Sequence, residues 1–168
     1  MEIKDRKQLA QYFNSLKFKV GAEIGVSEGR NARTLCRNIK GLTLYCVDIW
    51  ESDDRFRRAK ERLANYNATL IRKPSMEALK DFKDESLDFV FIDGNHTFDY
   101  VMEDLIGWSR KVRHGGIISG HDYYHFRNSG VIEAVNAYIS AHRINLYLTG
   151  VDLESSDDKM PSFFFTKP

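Results

Sequence analysis

Leu87-Asp88-Phe89-Val90-Phe91-Ile92-Asp93-Gly94-Asn95-His96-Thr97 is the stretch that decides the fold. Its first six residues form a nearly unbroken apolar run, with Asp88 inside its start. Such a run reads as a central strand covered on both faces, the pattern of parallel sheets flanked by helices. It stops at Asp93-Gly94, and Thr97 can cap a following helix whose apolar stripe is Val101, Leu105, Trp108 and Val112.

The alternation continues outward in both directions. Upstream, Asp5 and Gln8 have capping-box spacing, and Leu9, Phe13 and Leu16 recur as one helical face. Val20 to Ile24 is a strand running into Gly25, and Asn31 to Ile39 a helix. Leu42 to Val47 is a strand ending at Asp48, and Asp53 to Tyr66 a charged helix. Ala68 to Ile71 is a strand and Ser75 to Phe82 a short helix. Downstream, Gly115-Gly116 is expected to end the helix and Ile117-Ile118 to begin a strand. Val131, Ala134, Val135 and Tyr138 mark another helix. Ile144 to Leu148 is a strand, Val151 to Pro161 an acidic loop and Ser162 to Thr166 the last strand. Strands alternating with helices predict an α/β, Rossmann-like, doubly wound and mostly parallel sheet. The direct loop between the last two strands predicts that the final one enters antiparallel. One domain over residues 1–168 is expected, with residues 1–17 an N-terminal helix.

Composition narrows the class. Of 168 residues, 42% are hydrophobic and 29% charged, and the formal net charge is +1. No basic excess points to nucleic acid, and the stretch Arg55 to Arg62 carries interleaved acids, as a solvated helix face does. No apolar run approaches the ~20 residues of a membrane span, and the polar start lacks the core of a signal peptide. Cys36 and Cys46 are spaced neither as a metal site nor as a redox pair, and each has apolar neighbours. These features give the expectation of a cytoplasmic protein.

In doubly wound sheets, ligands bind beyond the carboxyl ends of the strands. The first such turn is Glu23-Ile24-Gly25-Val26-Ser27-Glu28-Gly29, whose glycines let the backbone turn tightly and approach a ligand. Ser27 stands where the G-x-G-x-x-G dinucleotide pattern has its second glycine, which disfavours a nicotinamide oxidoreductase. Asp48 is placed to accept hydrogen bonds from the ribose hydroxyls of a nucleoside, or to cap a helix. Pro74-Ser75-Met76 could border an adenine, with Ser75 a polar contact or an N-cap. Asp93 ends the central strand and His121-Asp122 ends the next. Asp93, His121 and Asp122 could converge on one divalent ion with His96 beside it. A carboxylate-rich set with imidazole suits Mg²⁺, Mn²⁺ or Fe²⁺ better than structural Zn²⁺. His114 and His125 read as surface residues.

Glu23-x-Gly25-x-x-x-Gly29, Val47-Asp48, Phe91-Ile92-Asp93-Gly94-x-His96 and Gly115-Gly116-Ile117-Ile118-x-Gly120-His121-Asp122-Tyr123 follow one another in this order from about Val20 to Ile139. In order and spacing they resemble class I S-adenosylmethionine-dependent methyltransferases, most of all the branch of macrolide-sugar O-methyltransferases and cephalosporin-hydroxylase-like proteins. The resemblance implies a seven-stranded sheet, with residues 18–168 as catalytic core. It implies that Glu23, Gly25 and Gly29 hold the methionine part of the cofactor, Asp48 the ribose, and Ile49, Ser75 and Met76 the adenine, with Asp93 bordering the cofactor. It also implies Mg²⁺ or Mn²⁺ on Asp93, His121 and Asp122, and His96 as general base. His121 stands where the sugar enzymes commonly carry an acid.

The resulting expectation is O-methylation of a hydroxyl on a small molecule such as a sugar, natural product or phenol. The alternatives are a non-catalytic cofactor-binding module that regulates a partner, and an RNA or N-methyltransferase. A core this close to minimal leaves the acceptor cleft open. Phe163, Phe164 and Phe165, with Leu146 and Leu148, would offer apolar surface at one sheet edge, so a homodimer is expected.

Overall fold

The computed structural model describes residues 2–151 and 159–168. Its elements are α1 (Arg6–Ser15), β1 (Val20–Ile24), α2 (Arg30–Asn38), β2 (Thr43–Asp48), α3 (Asp53–Leu63), β3 (Ala68–Arg72), α4 (Ser75–Ala78), β4 (Leu87–Ile92), α5 (Phe98–Lys111), β5 (Val112–Gly120), α6 (Val131–His142), β6 (Tyr147–Leu148) and β7 (Phe163–Thr166), with a 3₁₀ turn at Leu79–Asp81. The strands form one seven-stranded sheet in the order β3-β2-β1-β4-β5-β7-β6. β3, β2, β1, β4 and β5 are parallel, and β7 runs antiparallel to β5 and β6. The mostly parallel sheet with an antiparallel last strand is the expected architecture. The acidic loop expected over Val151–Pro161 falls largely on residues 152–158, outside the described residues.

β4 explains the two-sided core. Phe89 and Phe91 pack into one cluster with Leu9, Phe13 and Leu35, beneath α1 and α2. Val90 and Ile92 point the other way, to Leu105, Trp108 and Val135 of α5 and α6. Side chains alternate across a strand, so a central strand between two helical layers is apolar on both faces. Asp88 lies at the opposite end of the sheet from Asp93. Its Oδ2 accepts from the Lys19 and Val20 amides (2.6 and 2.9 Å) and its Oδ1 from Arg113 Nε (2.8 Å).

Several local expectations are corrected. Val112 is not on the α5 stripe: α5 ends at Lys111 and β5 begins at once, so Gly115-Gly116 lies inside the strand rather than ending the helix. A Cβ on Gly116 would press on Val112 Cγ1, and the register against β4 shifts between Leu87 and Phe89. Leu16 is 40% exposed, because α1 ends at Ser15 and turns its buried face at Phe13. Asp5 Oδ1 does accept from the Gln8 amide (2.6 Å), but Gln8 Oε1 takes the Lys4 amide instead of that of Asp5. Thr97 is the N-cap of α5 without a side-chain bond, and Ile144 and Leu146 pack beside the core outside β6. Phe163, Phe164 and Phe165 are all buried in this chain's own core, so they offer no docking surface. At that edge the exposed large apolar side chains among the described residues are Tyr147, Leu148 and Val151. The Arg55–Arg62 stretch is laced to acids, Arg57 to Asp54 and Glu61, and Arg58 and Arg62 to Glu28. None of the described helices is long and apolar enough to cross a membrane.

Candidate active site

The strand order reverses between β1 and β4, and a crevice opens beyond their carboxyl ends. Gly25 turns the chain there at φ +87°, and its amide donates to the Val47 carbonyl (2.9 Å). Gly29, at φ +76°, is the N-cap of α2. Between them the loop is held by Asp48, whose Oδ2 accepts from the Val26 and Ser27 amides (both 2.8 Å) and whose Oδ1 accepts from the Trp50 amide (2.7 Å). Trp50 Nε1 donates to the Ser27 carbonyl (2.7 Å). The carboxylate expected to meet a ribose therefore also builds the loop that would cradle the ligand.

A cavity of about 830 Å³ fills this crevice. Its wall includes Gly25, Asp48, Ile49, Ser75, Met76 and Asp93, six of the residues expected to contact the cofactor. Its volume is in the range of small-molecule and cofactor pockets. Ile49 is 51% exposed at the rim, as an apolar side chain flanking a planar ligand would be. The Ser75 hydroxyl does not face open space: it donates to Asp104 Oδ1 and receives Trp108 Nε1 (2.8 Å).

A second cavity of about 390 Å³ shares Gly25, Ser27, Arg55 and Asp93 with the first and reaches Glu23, Arg6 and Asn31. Glu23 is 1% exposed. Its Oε1 accepts from Asn31 Nδ2 (3.0 Å), while Oε2 has no hydrogen-bond partner. Burial pushes its pKa up to about 8, against the Asn31 hydrogen bond, which lowers it. Arg6 Nη1 lies 3.8 Å from Asp93 Oδ2. A carboxyl with one oxygen still without a donor among the described residues, next to a guanidinium, matches the ammonium and carboxylate of an amino-acid zwitterion. Gly29 lines neither cavity and stands at the N-cap of α2.

Beyond Asp93 the ends of β4 and β5 bring four side chains together. His96 Nε2 lies 3.1 Å from Asp122 Oδ2 and 3.7 Å from Asp93 Oδ1. His121 Nδ1 lies 3.0 Å from Asp122 Oδ1 and 4.0 Å from Asp93 Oδ1. Asp122 takes φ +57°, the left-handed region that Asp tolerates better than most non-glycine residues. The group whose ligand atoms all lie within 4.8 Å of one another is Asp93, His96 and Asp122, so His96 joins the cluster more closely than the expected His121. His121 Nε2 is buried without a hydrogen-bond partner among the described residues, and His96 Nε2, also buried, faces Asp122 and Asp93 without meeting hydrogen-bond geometry to either. Oxygen and imidazole donors that converge in this way fit a divalent ion. The neighbouring Asp93, then the charge of Asp122, holds the His96 pKa above its usual value against burial. Burial raises the Asp122 pKa, but the His121 hydrogen bond and the charges of His121 and His96 outweigh it and leave it lowered.

The model of a family described as a methyltransferase domain matches residues 22–123, from β1 to the residues just past β5. The chain belongs to this methyltransferase family. The match spans more than half of the chain and contains the glycine turn, Asp48, Ser75, Asp93, His96, Asp104, His121 and Asp122. An uncharacterized protein of Sinorhizobium fredii is 26% identical over 114 residues, 60% of this chain and 12% of that one. Another, of Acanthamoeba polyphaga mimivirus, is 27% identical over 128 residues, 70% of this chain and 58% of that one. The chain thus spans less than two thirds of either relative. Among solved structures, the O-methyltransferase of Bacillus cereus in complex with SAH is similar with a TM-score of 0.77 and 18% identity, over 96% of this chain and 80% of that one. An rRNA methylase of Streptococcus thermophilus is similar with a TM-score of 0.71 and 15% identity, over 99% of both chains. At these identities the likeness speaks for the fold, the class I methyltransferase fold.

Two residues that line the cavities escape a reading of motifs. Arg6 comes from α1, outside the matched span, and reaches Asp93 only because α1 docks on β4 through Phe13 and Phe89 (ring centroids 4.8 Å apart). Asp104 sits on the buried face of α5. An acid inside an apolar stripe was its only signal.

Proposed function

We propose that this domain transfers a methyl group from S-adenosylmethionine to a hydroxyl of a small molecule, assisted by Mg²⁺ or Mn²⁺. The observation that carries the reading is continuity. A cavity floored by the Gly25 turn runs from Asp48 and Met76 past Asp93, and Asp93 is itself a member of the carboxylate and imidazole cluster.

S-adenosylmethionine supplies an electrophilic methyl on a sulfonium, and a divalent ion on Asp93 and Asp122 would lower the pKa of a hydroxyl held against it. The protein's own groups do the rest. Glu23 and Arg6 hold the amino-acid head, the Val26–Ser27 loop shaped by Asp48 holds the ribose side, and Ile49 and Met76 flank the base. These contacts set the methyl toward the ends of β4 and β5. His121 pins the Asp122 carboxylate and orients it. His96, whose Nε2 faces both carboxylates, takes the acceptor proton on that nitrogen. Phe126 packs edge-on against the His96 ring, 5.6 Å between centroids, and limits its rotation.

Turnover with a panel of sugar and phenol acceptors, with and without chelator, tests the reading. Methylation of a hydroxyl that stops on chelation and returns with Mn²⁺ supports it. Undiminished turnover in excess chelator removes the metal and leaves His96 alone as the base.

A further inference from the structure

Asp104 is 5% exposed on α5, and the mechanism above gives it no task. It shares a helix face with Gly107, three residues on. A Cβ on Gly107 would stand 2.8 Å from Leu79 Cδ2 and 3.4 Å from Met76 Cε, so α5 approaches the α4 turn closely because that position is glycine. The approach delivers Asp104 to Ser75, whose hydroxyl donates to Asp104 Oδ1 while receiving Trp108 Nε1. This relay spends one carboxyl oxygen and fixes the orientation of the other. Oδ2 lies toward Gly94, 3.9 Å from where a Cβ there would stand, and Asp104 forms part of the large cavity's wall with Ser75, Met76 and Gly94. Burial holds the Asp104 pKa up to about 6, so at neutral pH the group is mainly ionised and only accepts hydrogen bonds. An acceptor buried in a cavity wall calls for a donor on whatever fills the cavity.

With the ribose at Asp48, the base lies between Ile49 and Met76, on the Ser75 side of the cavity. The heterocycle of an adenine nucleoside has one hydrogen-bond donor, its exocyclic amino group. On the reading of this cavity as the S-adenosylmethionine site, we infer that Asp104 accepts a hydrogen bond from the adenine amino group and selects adenine over 6-oxo purines. Hypoxanthine in the same pose would turn its 6-oxo oxygen toward the carboxylate, and its N1–H, set one ring position away, would reach Asp104 only if the base shifted. The Ser75–Trp108 relay makes Asp104 a specificity residue, because it prevents the carboxyl from turning away.

The test is calorimetric titration of the apo protein with S-adenosylhomocysteine and with S-inosylhomocysteine, for wild type, Asp104→Asn and Asp104→Ala. Wild type should prefer the adenine compound by roughly tenfold or more, the scale of a hydrogen bond to a charged group. Asp104→Asn should abolish or reverse that preference, because Ser75 keeps the amide oxygen and the amide nitrogen then donates to the 6-oxo group. Asp104→Ala should flatten it. Equal weakening of both compounds by the variants would mean that Asp104 only braces α4, and overturns the inference. If Asp104→Asn does not fold, the wild-type ratio decides, and equal affinities overturn the inference. Binding of neither compound to wild type would instead overturn the cofactor reading itself, a result distinguishable from an unchanged ratio.

Discussion

The carbonyl oxygen of Asp93 occupies the space that a Cβ on Gly25 would need. β1 and β4 are neighbours, the Asp93 amide donates to the Ile24 carbonyl (2.7 Å), and the chain turns at Gly25 with a positive φ. Gly25→Ala therefore meets both a collision and a disfavoured backbone. It should cost about 1–3 kcal/mol or more in stability. It should also remove S-adenosylhomocysteine binding, because the turn forms the floor of the cavity. Thermal melting and calorimetry check the two effects separately, and full binding by a stable Gly25→Ala protein would contradict the assignment.

Glu23 predicts a pH dependence of the apo protein. Its folded pKa of about 8 lies above the value of about 4.5 for an unstrained carboxyl, so the folded chain holds a proton that the unfolded chain releases. Stability should be undiminished by this group below pH 4.5 and fall progressively toward pH 8. Glu23→Gln should flatten that slope in denaturant titrations across the range. The cofactor's ammonium favours the ionised carboxyl, so binding near pH 7 should release a proton. Calorimetry in buffers of different ionisation enthalpy measures that release, and its persistence in Glu23→Gln would exclude Glu23 as the source.

At the carboxylate and imidazole cluster, the proposed metal site, Asp122→Ala should abolish Mn²⁺ binding followed by electron paramagnetic resonance. It should leave S-adenosylhomocysteine affinity nearly unchanged, since Asp122 lines neither cavity. His96→Ala should lower kcat by roughly 10²–10⁴-fold, the scale of general base catalysis, with Mn²⁺ still bound. Loss of Mn²⁺ from His96→Ala would move His96 from base to ligand, as its closeness to both carboxylates allows.

The same residue sets the pH profile. Its raised pKa means that His96 carries a proton to a higher pH than an ordinary imidazole. In the metal-free protein His96 should therefore titrate above 6.5 by NMR, whereas kcat/KM of the metal-loaded protein should rise with pH as His96 loses its proton and then level, a limb that His96→Ala should lose. A profile flat from pH 6 to 8 would exclude His96 as the base.

What the sequence shows and what it hides have physical reasons. The β4 run and the glycine turn are legible because a central parallel strand has no polar face and a strand-to-helix turn needs positive φ. Val112 misleads because it continues the spacing of Leu105 and Trp108, and no breaker marks the direct passage from α5 into β5. Asp48 shows its position but not its bonds, since the Val26 and Ser27 amides reach it only once β1 and β2 lie side by side. Arg6 depends wholly on how α1 docks, which no local pattern encodes. His96 and His121 were both visible as candidates, but their order about Asp122 follows from the left-handed turn at Asp122.

The most direct measurement is calorimetric titration of the apo protein with S-adenosylmethionine at neutral pH. The site described here predicts saturable one-to-one binding in the micromolar range, roughly 8 kcal/mol. Asp48→Ala should weaken it by about 1.5–3 kcal/mol as the carboxylate that shapes the loop is lost. No binding at millimolar S-adenosylmethionine, or binding of NAD in its place, would contradict it.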